Sequence, residues 1–257
     1  MNKKQKLKNA VILGLLMSSV TASSAWAESL NVNNIENDNA SGLTYDEIVG
    51  ILGDMRYYGL VGGTDEYGNI DYDNTKVFDS IAVTVKSNYN IWPGKNKKAV
   101  GVTSKQGDAD AVLKAENNIT VNVETRNDKN GYGVLADDDG KKVDMISSSG
   151  TIQVSALKTK GHQDSLTGPG DIDYSTANVY GISAYNNGIA YLNAGTDIIV
   201  TAGYDKTAAK KYTSLKQGNI YGISNTGGTV DLTAGNTISI TANSANGTAY
   251  AVIKILI

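Results

Sequence analysis

The sequence contains an internal repeat that starts with Tyr-Gly-Ile-Ser and is clearest in residues 180–202 and 221–242. Within each copy the apolar residues alternate with polar ones. In the second copy the apolar set is Val230, Leu232, Ala234, Ile238, Ile240 and Ala242. A period of two is typical of a β-strand whose two faces meet different environments. Each copy therefore predicts three short strands, Tyr-Gly-Ile-Ser, x-Leu-x-Ala and Ile-x-Ile-x-Ala, separated by turns that contain Gly and Asn.

Weaker copies of the pattern surround these two segments. Their first strands begin at Tyr58, Val100, Tyr132 and Tyr250. One copy is too small to bury its own apolar side chains, whereas stacked copies share a continuous core. The sequence therefore predicts an all-β fold, a parallel β-helix or solenoid, most often right-handed, with irregular corner insertions. The alternative, an antiparallel sandwich of short strands, predicts evenly spaced hairpins and no sequence repeat.

The copies differ in length, and we expect the additional residues between the third strand of one copy and the next Tyr-Gly. The longest of these segments are 158–177 and 203–217. Insertions at a single point of a repeat lie at one corner of a stacked structure. Ligand contacts of a rigid stack are expected in such loops.

The first residues have the three parts of a secretory signal peptide. Four lysines are followed by an apolar run from Ala10 to Leu16 and then by the Ala-x-Ala site that ends at Ala27. This order predicts export and cleavage after Ala27. A membrane anchor is the alternative, but the apolar run is shorter than the roughly 20 residues that a spanning helix needs.

Three regions follow from these signals: a signal peptide at 1–27, an Asn-rich lead with a capping helix at 28–57, and the solenoid repeats at 58–257, incomplete at the C-terminus. Residues 29–40 are expected to be loose. The segment Thr44–Arg56 predicts a helix because Thr44 and Glu47 have the spacing of a capping box. Such a helix could cover the first coil; an irregular strand is the alternative.

The composition excludes several kinds of site. The chain has no cysteine and one histidine, so disulfides, Cys-ligated metals and multi-histidine metal sites are excluded. The formal net charge is −3, and the leader holds four basic residues and no acidic one, so the mature chain is more acidic still. This charge argues against a nucleic-acid partner. No motif for a small-molecule cofactor is present.

No residue is assigned a catalytic, cofactor-binding or metal-binding role. His162 could join Asp164 or Asp171 in a Ser-His-Asp triad, but no nucleophile elbow accompanies it, so a solvated loop histidine is favoured. Three Asp-rich turns offer oxygen ligands for Ca²⁺, yet none follows a known calcium-loop pattern, so solvated turns are favoured. These turns are residues 69–73, 137–139 and 171–173.

Two groups of tyrosines have different expected roles. Tyr204 and Tyr212 lie in an insertion with three lysines and are the better candidates for ligand contact, although a solvated loop is favoured. These lysines are Lys206, Lys210 and Lys211. Tyrosines at equivalent positions of the repeats are expected to form a structural stack. They are Tyr58, Tyr132, Tyr180, Tyr221 and Tyr250.

The signal peptide, the absence of cysteine and the Gly/Asn/Thr-rich three-strand repeats together resemble the passenger region of bacterial autotransporters, the type V secreted proteins. The resemblance covers about residues 58–252. It implies export, passage through the outer membrane by way of a C-terminal β-barrel, and display on the cell surface. Members commonly act as adhesins and in some cases as proteases or esterases.

The sequence departs from that family because no barrel strands follow the last copy. We expect a truncated or frame-shifted passenger; the alternative is a short secreted solenoid whose apolar tail caps the last coil. The expected location is the bacterial surface or medium, or the periplasm if the barrel is truly absent.

The expected function is adhesive or structural. The expected partners are a host surface, a glycan or a ligand on a neighbouring cell, together with a separate or missing barrel. The alternative is a carbohydrate-active β-helix enzyme, a polysaccharide lyase or hydrolase. Such an enzyme needs carboxylates gathered from several coils. Three or more charged side chains on one solvent face of adjacent coils would favour it.

Overall fold

A computed structural model describes residues 28–35, 57–61, 75–86, 98–104, 110–125, 130–137, 140–158, 177–204, 218–244 and 248–255. These residues form seventeen β-strands and no helix. The strands are β1 (Leu30–Ile35), β2 (Tyr57–Val61), β3 (Val77–Phe78), β4 (Ile81–Lys86), β5 (Ala99–Thr103), β6 (Ala111–Ala115), β7 (Ile119–Thr125), β8 (Gly131–Asp137), β9 (Lys142–Ser147), β10 (Ile152–Lys158), β11 (Val179–Tyr185), β12 (Ile189–Ala194), β13 (Ile198–Tyr204), β14 (Ile220–Thr226), β15 (Thr229–Ala234), β16 (Ile238–Asn243) and β17 (Ala249–Ile255).

The strands form three sheets in which strands three apart in the chain are parallel neighbours. Sheet 1 has the order β1-β4-β7-β10-β13-β16, sheet 2 the order β2-β5-β8-β11-β14-β17, and sheet 3 the order β3-β6-β9-β12-β15. Each complete coil therefore contributes one strand to each sheet, and β1 and β17 belong to incomplete coils at the two ends of the described stack. This is the parallel β-solenoid that the repeat predicted, and the parallel pairing excludes an antiparallel sandwich for the described residues. Its handedness stays a prediction.

The repeat defines the register between coils. The first clear copy forms β11, β12 and β13, and the second forms β14, β15 and β16. Equivalent residues pair across the two coils, as Tyr180 pairs with Tyr221 and Leu192 with Leu232. The three-strand interpretation of the repeat is confirmed.

The core consists of the inward-facing residues, which form rows along the stack. One row of sheet 1 is made of Ile81, Ile119, Ile152 and Ile198, each at most 1% exposed. Full burial of such a side chain stabilises the fold by about 1.5–3 kcal/mol. Backbone groups between the strands also pair from coil to coil: the Ile119 N–H donates to the Thr151 carbonyl at 3.0 Å. The row continues to Ile238, which is 43% exposed because the described strands end there.

Two expectations about the early part of the chain are wrong. Residues 30–35 of the lead, expected to be loose, form β1, which pairs with β4 in register. The neighbouring backbone of β4 supplies ladder partners, and this pairing overrides the low strand propensity of asparagine. Long connections are also not confined to one corner, because residues 62–76 separate β2 from β3. The signal peptide and the helix predicted at Thr44–Arg56 lie outside the described residues.

A row of glycines lets sheet 2 approach sheet 1 closely. A Cβ atom on Gly181 would lie 2.6 Å from the Gly222 carbonyl oxygen and would clash with Val200 of β13. Gly133 and Gly222 have the same surroundings in the adjacent coils. The Tyr-Gly motif therefore needs glycine because the short distance between sheets 1 and 2 leaves no room for a Cβ atom.

Outside the core, sheet 2 carries a ladder of stacked tyrosines and hydrogen-bonded asparagines. The rings of Tyr132, Tyr180, Tyr221 and Tyr250 stack with centroid distances of 4.7, 4.8 and 5.3 Å. The Asn178 amide donates to the Tyr180 hydroxyl at 3.0 Å, and its oxygen accepts from the Asn219 N–H at 2.8 Å. The predicted structural stack is confirmed for these four tyrosines, and the side chains of Asn130 and Asn178 each link one coil to the next.

We expect Gly181→Ala to destabilise the fold by about 1–3 kcal/mol, because the added methyl group overfills the space beside Val200. Thermal unfolding followed by circular dichroism would measure the loss. Gln153→Ala, at an exposed position of β10, is the control and should change stability little. Equal melting temperatures for the two variants would contradict this account of the glycine row.

Asn178→Ala should cost about 1–3 kcal/mol, because it leaves the Asn219 N–H without its acceptor and removes the bond to Tyr180. Urea unfolding of the variant would measure this cost. Asn193→Ala, at an exposed asparagine of β12, is the matched control. If both substitutions lower the free energy of unfolding equally, the hydrogen bonds of Asn178 stabilise the fold no more than an exposed asparagine does.

Candidate functional site

Most residues singled out from the sequence lie outside the described residues. These are His162, Asp164, Asp171, Tyr212, its three neighbouring lysines and the turns 69–73 and 171–173. Tyr204 is described: it is partly buried and packs against the core, so it is not the open ligand contact that its position suggested. The described part of the chain brings together no group of three or more His, Asp or Glu residues that could hold a metal ion.

Asp137, the described residue of the Asp-rich turn 137–139, belongs to a buried hydrogen-bond cluster. It is 2% exposed and accepts a hydrogen bond from the Asn186 amide at 3.0 Å. Two effects raise the pKa of the Tyr185 hydroxyl far above its usual value: its burial, which is the larger effect, and its hydrogen bond to Asp137. The Tyr185 hydroxyl therefore stays protonated and donates to Asp137. This cluster joins β8 to the turn after β11 and accounts for Asp137 as a structural residue.

The outer face of sheet 3 brings together functional groups that the sequence analysis did not connect. Tyr191 of β12 pairs with Asp144 of β9 on one side and with Asp231 of β15 on the other. In the adjacent outer row, Asn193 lies between Ile146 and Thr233. Neighbouring strands are about 4.8 Å apart, so three coils present these side chains side by side.

These residues line a shallow open depression of about 240 Å³, here named the Tyr191 pocket. Its lining residues are Asp144, Ile146, Tyr191, Leu192, Asn193, Asp231 and Thr233. The Lys142 ammonium lies 6.0 Å from the centre of the Tyr191 ring. The pocket therefore combines an aromatic ring, two carboxylates, an amide and a hydroxyl on a solvent-facing surface.

The two carboxylates of the pocket differ from other aspartates of the stack. Asp79, Asp110, Asp137 and Asp197 each accept a hydrogen bond from the protein. Asp144 and Asp231 accept none and form no ion pair within the described part of the chain. A half-buried carboxylate such as Asp144 normally has a partner, so its open hydrogen-bonding capacity marks this pocket.

Burial raises the pKa of Asp144, and the positive charges of Lys114 and Lys142 only partly offset that effect. The nearby Asp110 carboxylate adds a smaller rise. The desolvated carboxylate is thus held in a mixed field of two positive side chains and one negative side chain. Such a group can accept hydrogen bonds from a ligand or take part in proton transfer.

A signal for this pocket was present in the repeat. Asp144, Tyr191 and Asp231 each occupy the polar position before the central apolar residue of their copy's second strand. An alignment of the copies would have placed them on one outer row. Ligand contacts were expected in the insertions, and a site built on the regular strands was therefore not predicted.

Comparisons with known proteins identify no relative: no family model, curated protein or solved structure matches this chain. In the residues that the structure describes, no helix is both long enough and apolar enough to cross a membrane. The function is therefore inferred from the chain's own residues.

The raised pKa of Asp144 predicts a pH-dependent stability. Its ionised form destabilises the folded chain near neutral pH, and protonation removes this cost as the pH falls through the raised pKa. Asp144→Asn should therefore raise the melting temperature at about pH 7. This gain should shrink as the pH falls toward 3.8, the ordinary pKa of an aspartate.

Melting temperatures of wild type and variant across this pH range would test the expectation. Asn193→Ala removes no titrating group, so its difference from wild type should be the same at every pH. A pH-independent effect of Asp144→Asn would show that desolvation of this carboxylate is unimportant.

Proposed function

We propose that this chain is a secreted, surface-displayed β-solenoid of the autotransporter-passenger type, with an adhesive role. The observation that carries the proposal is the Tyr191 pocket: an aromatic ring and unpaired polar groups on the open face of a rigid stack. A shallow, solvent-facing arrangement favours contact with a large or extended ligand over enclosure of a small one. The regular strands hold its side chains in fixed positions.

Export is supported by the signal peptide predicted at residues 1–27. A parallel stack without cysteines gains its stability from core burial and coil-to-coil hydrogen bonds alone, which suits a chain that folds after crossing a membrane. The proposed partners are a host surface, a glycan or a ligand on a neighbouring cell.

A carbohydrate-active enzyme is the second candidate, because Asp144 and Asp231 share one outer row. They are two strand spacings apart, or about 9–10 Å between backbones, near the upper end of the separation in inverting glycosidases. The raised pKa of Asp144 suits a general acid. Lys114 and Lys142 also lie near Asp144, so the criterion of three charged side chains on one face is met. Tyr191 lies between the two carboxylates, where the scissile bond would need space, and this favours binding.

Adhesion can be measured with the full chain produced with its leader in a bacterium and recovered after export. Beads coated with this protein should be retained on cultured cells or bacterial layers several-fold more than beads coated with the heat-unfolded protein. Release of reducing sugar from surface polysaccharides would instead support the enzyme, particularly if Asp231→Asn abolished it. Equal retention of folded and unfolded coatings would contradict the adhesive role.

A further inference from the structure

We propose that the Tyr191 pocket binds a neutral glycan, through stacking on the Tyr191 ring and hydrogen bonds to Asp144, Asn193 and Asp231. The inference rests on the proposed adhesive function and assigns it a site and a ligand class. The residues that line this pocket lie on three neighbouring strands of sheet 3, β9, β12 and β15.

The pocket has an apolar part that suits the face of a sugar ring. The lining pairs the Tyr191 ring with Ile146, which is half-buried on the outer row of β9. A sugar ring has C–H groups on its faces and hydroxyl groups around its rim. A flat aromatic surface can cover the C–H face, as tyrosine commonly does at binding surfaces with an apolar body and a polar end.

The polar groups of the pocket suit the hydroxyl groups of a sugar. Asp144 and Asp231 are acceptors, the Asn193 amide supplies donors and an acceptor, and the Thr233 hydroxyl does both. Asp144, Asn193, Asp231 and Thr233 make no hydrogen bond to the protein within the described residues. Sugar hydroxyls both donate and accept, so they can satisfy this mixed set, whereas an apolar ligand would leave it unpaired.

The charges around the pocket favour a neutral ligand over a charged one. The Asp144 and Asp231 carboxylates are accompanied by Lys142 and, near Asp144, by Lys114 and Asp110, so three negative groups lie beside two positive ones and the net local charge is small. An anionic ligand would meet both carboxylates. A cationic ligand would be repelled by Lys142 and Lys114. A neutral ligand avoids both costs.

The size of the pocket suits part of a longer chain. The pocket spans β9, β12 and β15, which is two strand spacings or about 9–10 Å along the stack. Its open shape allows a longer chain to continue beyond the contacts on either side. The geometry therefore suits a segment of an oligosaccharide or polysaccharide.

The test uses the exported full chain and a panel of neutral, acidic and amine-bearing oligosaccharides of matched length. We expect neutral members to bind and the charged ones to bind more weakly. Calorimetry on the best neutral oligosaccharide should show that Tyr191→Ala weakens binding by about tenfold or more. Tyr191→Phe should retain most of the affinity, because the stacking face is kept.

Asn193→Ala and Asn122→Ala provide a matched pair. Both asparagines are exposed on outer strand faces, but Asn122 lies on sheet 1, away from the pocket. Asn193→Ala should weaken binding by about threefold to tenfold, and Asn122→Ala should not change it. This comparison remains decisive even if Tyr191→Ala fails to fold, which its melting temperature would reveal.

The inference is overturned if no neutral oligosaccharide binds, or if the two asparagine variants bind equally well. Bead retention separates this failure from failure of the proposed function. Retention that persists without glycan binding leaves the adhesive role in place and removes the pocket assignment. Loss of both contradicts the adhesive role itself.

Discussion

Parallel hydrogen bonding between the strands of successive coils is the interaction on which every other feature depends. It holds equivalent residues of the repeat opposite one another in all three sheets. Because one coil alone cannot bury its apolar face, the core exists only where coils are stacked in this register. A shift by one residue would exchange the inward and outward rows of a strand.

The same register builds the outer rows, although their roles differ. On sheet 2 the copies repeat the same side chains, and the result is a self-satisfied ladder in which Tyr180 stacks on its neighbours and bonds Asn178. On sheet 3 the copies differ at equivalent outer positions: Asp144, Tyr191 and Asp231 adjoin in one row, and Ile146, Asn193 and Thr233 adjoin in the next. Repeated residues hold the coils together, and residues that vary between copies provide groups whose hydrogen-bonding capacity the protein leaves open.

The repeat made the strands, the three-sheet stack and the tyrosine ladder predictable, because each depends on a periodic pattern. β1 was not predictable, since its asparagines favour a loop and only the partner β4 decides its conformation. The Tyr191 pocket was missed for another reason: its groups are far apart in the chain and come together through register alone. Tyr204 was assigned to an exposed insertion, but it ends strand β13 and packs against the core.

The alternation of inward and outward residues in sheet 3 has an evolutionary consequence. In β12, Leu192 is buried while its neighbours Tyr191 and Asn193 face outward, so the surface can change without repacking the interior. Most outward substitutions away from special contacts alter stability by less than about 0.5 kcal/mol. Such a scaffold can acquire new recognition surfaces one coil at a time, and duplication of a coil extends the surface without a new fold. Selection on what the protein contacts is thereby largely separated from selection on whether it folds.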